Sequence, residues 1–113
     1  MNILNLLGRS RVAANLRERV IEALRQIRDP EIPVNIYDLG LIYGLDIDDM
    51  GRVEIHMTLT APGCPVAQTF PALVEDAMES VQGISRAHVE LVWDPPWDKS
   101  RMSEAVRLQL GLI

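Results

Sequence analysis

Apolar residues recur every three or four positions near the start of the chain: Val12, Leu16, Val20, Leu24 and Ile27, with Ala23 beside them. Arg17, Arg25 and Arg28 fall off that stripe. The spacing predicts an amphipathic helix over 12–28 with a solvated arginine face. Asp29-Pro30 closes it, because proline lacks the N–H that continues the ladder and pushes its predecessor out of helical geometry. After a loop with two prolines and three carboxylates, Leu41-Ile42-Tyr43-Gly44-Leu45-Asp46-Ile47 predicts a strand, and Asp48-Asp49-Met50-Gly51 is a turn of hairpin length. Val53, Ile55, Met57 and Leu59 then alternate with Glu54, His56, Thr58 and Thr60, the period of a half-buried strand antiparallel to the first.

Beyond Ala61-Pro62-Gly63-Cys64-Pro65 the spacing predicts a second helix to about Val81, burying Phe70, Leu73, Val74, Ala77, Met78 and Val81. Pro65 suits a first helical position. Pro71 does not suit a helix interior, where it costs about 3 kcal/mol. Two readings stand open: a kink at Pro71, or a separate turn over 65–69 with Thr69 capping the main helix. A third strand sets Ala87, Val89, Leu91 and Trp93 against His88, Glu90 and Val92, and Asp94-Pro95-Pro96-Trp97-Asp98 breaks it. The tail from about Ser100 to Leu110 predicts a short helix packing through Met102, Ala105, Val106, Leu108 and Leu110, with Gly111 as its stop.

The order helix-strand-strand-helix-strand-helix implies an α/β (α+β) two-layer single domain, a small mixed sheet covered by helices. Residues 1–11 form an apolar N-terminal arm and 12–113 the domain. No repeat or linker divides the chain. Its 113 residues, 48% apolar and 24% charged, suit one globular core and exclude a disordered tail. In the arm, Arg9 and Arg11 follow the apolar stretch, which is too short for a secretory core or membrane span; this implies a cytoplasmic protein.

Charge sharpens the picture. Residues 1–28 hold six arginines against two glutamates, 29–98 two arginines against thirteen acids, and 99–113 three basic residues against one glutamate, giving the net −5. An acidic centre disfavours nucleic acid, and no phosphate-cradling glycine loop is present for nucleotide hydrolysis. The single cysteine, Cys64, excludes a disulfide framework within one chain and any complete metal site built from its own thiols. Preceded by Gly63, followed by Pro65 and set before a predicted helix start, Cys64 sees the positive end of a helix dipole, which favours thiolate. The competing role for a lone cysteine is a small core residue.

Asp29, Glu31 and Asp38 are carboxylates in a stiff loop, suited either to holding a metal or to bonding loop amides; for Asp38 the two roles stand level, the structural one being a bond to the amide two residues on. His56 and His88 fall on polar strand faces with no partner at metal-ligand spacing, so they are expected to be exposed sheet histidines. Trp93 and Trp97 suit a packed corner. An enzyme reading would make Cys64 a nucleophile with His56 or His88 as base and Asp38 orienting it. His56 precedes Cys64 by eight residues, about 20 Å or more along an extended path, which makes this the lesser reading.

Four motifs in order, Asp29-Pro30-Glu31-Ile32-Pro33-Val34-Asn35-Ile36-Tyr37-Asp38-Leu39-Gly40-Leu41-Ile42-Tyr43, Met57-Thr58-Leu59-Thr60-Ala61-Pro62-Gly63-Cys64-Pro65, Trp93-Asp94-Pro95-Pro96-Trp97 and Met102-Ser103-Glu104-Ala105, resemble the SufT-like and PaaD-like metal-sulfur cluster biosynthetic family. The resemblance spans about residues 12–112. It implies a compact α/β domain and a non-catalytic accessory role in assembling iron-sulfur clusters or delivering them to client apo-proteins. It also implies a patch of Asp29, Glu31, Asp38 and Cys64, with Thr60 and Gly63 in support. Pro71 inside the second helix and Asn35-Ile36-Tyr37 between Asp-Pro-Glu and Asp38 are the less usual details of the resemblance. Because a cluster takes four ligands and this chain has one thiol, ligation of cluster or iron through Cys64 is expected to be transient or shared, across a homodimer or with a client, with nothing tightly bound. The alternative along the PaaD branch is a maturation or coupling factor for a specific oxygenase. Expected partners are the assembly machinery and its clients, with no nucleic acid and no membrane.

Overall fold

A computed structural model describes residues 15–60 and 66–111. The expected arm over 1–11, Val12, Gly63 and Cys64 lie outside the described residues. Helix α1 covers 15–25, followed by β1 (Ile42–Ile47), β2 (Arg52–Met57), α2 (Val66–Glu79), β3 (Arg86–Leu91), a 3-10 turn (Lys99–Arg101) and α3 (Glu104–Gln109). The sheet has the order β1-β2-β3, with β1 antiparallel to β2 and β3 parallel to β2. It is the expected small mixed sheet, and α2 is the crossover that a parallel neighbour requires.

Alternation decides the two faces. Val53, Ile55, Met57, Ala87 and Val89 point inward and join Leu16, Val20 and Leu24 of α1 and Phe70, Val74 and Met78 of α2 in one core cluster that extends to Met102 and Val106. The hairpin turn is fixed by the Asp48 carboxylate, which accepts from the N–H groups of Met50 and Arg52 at 2.8 and 2.9 Å. Gly51 supplies the positive φ of 78° that the turn needs.

Several expectations are corrected. The first helix stops by residue 25, short of 28. Bonds from Gln26 N–H to Ala23 and from Ile27 N–H to Leu24 tighten its end, and the chain is then drawn into a bridge between Arg28 and Asn35. Helix α2 runs without interruption from Val66 through Pro71, so the separate turn with a helix start at Thr69 is ruled out; its end, Glu79, comes two residues before Val81. Leu73, expected inside, is 50% exposed. Thr58, expected on the polar face, is buried: β2 ends at Met57 and the next N–H bonds the Leu41 carbonyl instead of continuing the ladder. Likewise β3 ends at Leu91, which leaves Trp93 exposed. The tail helix is split by Met102, with Asp98 capping the 3-10 turn and Ser103 capping α3. One turn and a half of α3 can bury only one stripe, so Val106 is inside while Ala105, Leu108 and Leu110 are exposed.

Candidate functional site

The acidic loop is built around Asp29. This side chain is only 5% exposed, and its Oδ2 accepts from the N–H groups of Glu31 at 2.9 Å and Ile32 at 2.8 Å. A carboxylate bonding amides two and three residues ahead is a local turn that competes with helix, which is why the chain leaves α1 here. The Asp29 N–H donates to the Val34 carbonyl and the Ile36 N–H to the Ile27 carbonyl, so the two limbs of the loop lie side by side. Glu31 contributes its backbone to this turn and leaves its side chain in solvent.

Thr60 connects this loop to the segment that carries Cys64. Its hydroxyl approaches Asp29 Oδ2 at 3.4 Å, across 31 positions of sequence. The structure therefore brings Asp29 and Thr60 together. Two positions before Thr60, the Thr58 hydroxyl is buried with no hydrogen-bond partner among the described residues.

Asp38 takes its side-chain partners from its own turn and from α1. Its recorded side-chain partners are Asn35, whose Nδ2 donates to Oδ2 at 3.0 Å, and Arg25, whose Nε lies 3.5 Å from Oδ1; the bond to the amide two residues on is not formed. The Gly40 N–H goes instead to the Tyr37 carbonyl. Asn35 Oδ1 accepts from the Asp38 N–H at 2.8 Å, so the Asn35-Ile36-Tyr37 stretch supplies its own turn cap. Arg25 also stacks over the Tyr37 ring, 5.0 Å from its centroid.

The carboxy-terminal segment clamps the same loop. Trp97 Nε1–H donates to the Leu39 carbonyl at 2.7 Å, the Tyr43 hydroxyl donates to the Pro95 carbonyl at 2.9 Å, and the Ser103 N–H donates to the Asp38 carbonyl at 2.9 Å. Arg101 lies over the Tyr43 ring at 4.3 Å. Gly40, at φ +80°, packs so closely on the Arg101 carbonyl that a Cβ would overlap it. Trp97 is thus a corner post, as expected, while Trp93 is not.

His56 and His88 are on the exposed face of the sheet, as their strand periodicity requires. Sequence spacing gave them no partners, but pairing of β2 with β3 does. His88 Nδ1 lies 2.9 and 3.0 Å from the two oxygens of Glu54, and His56 Nε2 lies 3.3 Å from Glu54 and 3.4 Å from Glu90. The hydrogen bond with Glu54, then its charge, raises the His88 pKa above 6.5; the hydrogen bond with His88 is the largest cause holding the Glu54 carboxyl below its ordinary value. Glu54 and Glu90 were missed in the sequence. The available signal was their position on the polar face of strands already assigned, at i±2 from a histidine.

What emerges is a small α+β domain in which a buried aspartate ties an acidic loop to the residue leading into a cysteine segment. Residues 17–91 match the family described as iron-sulfur cluster assembly protein, and the chain belongs to that family. A Porphyromonas gingivalis protein named Fe-S protein maturation auxiliary factor is 46% identical over 96 residues, covering 85% of this chain and 91% of that protein. A Bacillus subtilis protein, Fe-S protein maturation auxiliary factor YitW, is 39% identical over 97 residues, 86% of this chain and 95% of that one. The crystal structure of a domain of unknown function from Bacillus anthracis superimposes with a TM-score of 0.78 at 33% identity, covering 88% of this chain and 95% of that one. No helix among the described residues is long and apolar enough to cross a membrane.

Proposed function

We propose that this protein is an accessory factor that helps assemble iron-sulfur clusters or hand them to apo-proteins, and that the Cys64 thiolate supplies one ligand to a cluster or iron it holds transiently. Its partners in this reading are the cytoplasmic assembly machinery and client apo-proteins, and the cluster is cargo with no tightly held cofactor beside it. The carrying observation is the contact of Thr60 with Asp29, which ties the residue entering the cysteine segment to the acidic loop. Cys64 stands two positions before Val66, where α2 begins. Unpaired N–H groups at a helix start favour thiolate, and thiolate is the ligand type that iron in a cluster takes. Asp29 then serves as a positioning residue and exposed Glu31 as the carboxylate open to cargo. The Asp38 carboxylate, paired with Arg25 and Asn35, shapes the loop.

One thiol cannot complete a four-ligand cluster, so the second ligand set comes from another molecule, either a second copy or the client. Incomplete ligation suits a carrier because it leaves exchange positions open. In this reading the role is non-catalytic, and His56 and His88 pair with carboxylates on the sheet face. The test is anaerobic reconstitution of wild type and Cys64→Ala, read by visible absorbance and iron content, followed by transfer to an apo-protein. Wild type should retain and transfer the cluster, and Cys64→Ala should lose most of both. Equal retention would overturn ligation by Cys64.

A further inference from the structure

The open face of the sheet carries a donor set that the cluster reading does not use. Glu54 and His56 alternate on β2, and His88 and Glu90 on β3. Parallel register places Glu54 beside His88 and His56 beside Glu90. All four lie on paired strands, so the backbone fixes their separations. One donor atom each from Glu54, His56 and Glu90 falls within 4.8 Å of the other two, although Glu90 is 36 positions from Glu54 in sequence.

From these distances we propose that Glu54, His56 and Glu90 bind a borderline divalent cation of the first transition row, zinc(II) or iron(II), with water completing the coordination. Bonds of about 2.0–2.2 Å to nitrogen and oxygen place donors about 3.0 to 3.5 Å apart in octahedral or tetrahedral geometry. The His56 nitrogen already stands 3.3 and 3.4 Å from its two carboxylate partners, so two edges of such a polyhedron are present. The third closes by rotation of glutamate side chains that are about half-exposed, at 42% and 57%. An imidazole with two carboxylates selects zinc or iron over magnesium, which prefers an all-oxygen shell. His88 bonds Glu54 through Nδ1 and acts as the outer partner that fixes a ligand's orientation. The competing reading of the same contacts is His56 bridging the two carboxylates by hydrogen bonding alone, with no metal. The donor set contains no thiol, so the two proposals fail separately.

The experiment is calorimetric titration with zinc chloride of Cys64→Ala protein, in which no thiol competes. The expected result is saturable binding of one zinc per chain, unaffected by a large excess of magnesium. Adding His56→Ala should abolish it, Glu90→Gln should weaken it strongly, and His88→Ala should weaken it about tenfold or more, as loss of an outer partner does. Circular dichroism checks that each variant is folded; where His56→Ala is not, Glu90→Gln, which changes an exposed side chain, decides. No saturable binding in Cys64→Ala, or equal affinity after Glu90→Gln and His56→Ala, would overturn the site in favour of hydrogen bonding alone.

Discussion

The acidic loop and the open sheet face are both rich in carboxylates, yet they use them in opposite ways. In the loop, Asp29 is buried and bonded to the backbone, and Asp38 is paired with neighbours from its own turn and from α1. On the sheet face, Glu54 and Glu90 are partly in solvent and, among the described residues, pair with imidazoles from their own and the adjacent strand. Asp29 and Asp38 are close in sequence, and their acceptor capacity is taken up in holding the chain's own shape. The sheet carboxylates are far apart in sequence and converge with their donor atoms still open to solvent. Proximity in sequence therefore marked a structural device here, while the unassigned donor set came from register between strands.

The contrast predicts unequal sensitivity to mutation. Asp29→Ala strands the Glu31 and Ile32 amides and removes the acceptor for Thr60, and should cost about 2–4 kcal/mol by urea denaturation. Asp29→Asn, which retains one acceptor oxygen, should cost less. The matched deletion on the sheet face, Glu90→Ala, should stay within about 0.5 kcal/mol, as exposed substitutions do. Equal losses at the two positions would dissolve the distinction.

A second effect concerns the clamp. Trp97→Phe keeps most of the ring but leaves the Leu39 carbonyl unpaired, at an expected cost of about 1–2 kcal/mol. Amide hydrogen exchange should show the loss confined to residues 38–43 and 95–103, with the sheet unchanged. Protection falling equally throughout β2 would mean that the loop and the sheet are one cooperative unit.

The smallest effect belongs to the hairpin turn at the end of the sheet. Bonds from Arg52 and then the Met50 amide hold the Asp48 carboxyl below 3.8. A depressed carboxyl contributes stability that is present above its unfolded value and lost as pH falls through the lowered folded one. The thermal midpoint should therefore drop between pH 5 and pH 3 by a slightly smaller amount in Asp48→Asn than in wild type. Identical slopes would remove Asp48 from the acid response.

Much of this architecture was legible in the chain. Period-two alternation placed Val53, Ile55 and Met57 inward, and a helical stripe placed Leu16, Val20 and Leu24 against them, because those periods follow from backbone geometry alone. Element ends were less legible. The stop of α1 depends on Asp29 bonding amides ahead of it and on Arg28 pairing with Asn35, and Leu108 is exposed because α3 is too short to bury a second stripe. Pro71 illustrates the same point: its local penalty is real, yet α2 passes through it, with Phe70, Val74 and Met78 holding the helix on the core.

Residue types by themselves determined the one-thiol limit, the acidic centre and the family motifs, since counts and order need no coordinates. Only tertiary structure decided what each carboxylate does. Asp29 and Thr60 meet across 31 positions because β2 returns the chain to the loop. Glu54, His56, His88 and Glu90 meet because α2 carries β3 back parallel to β2 in one particular register. A shift of that register by one residue would send every one of the β3 side chains to the other face. The chemistry of the open face is thus a property of strand pairing, which the alternation within each strand does not by itself encode.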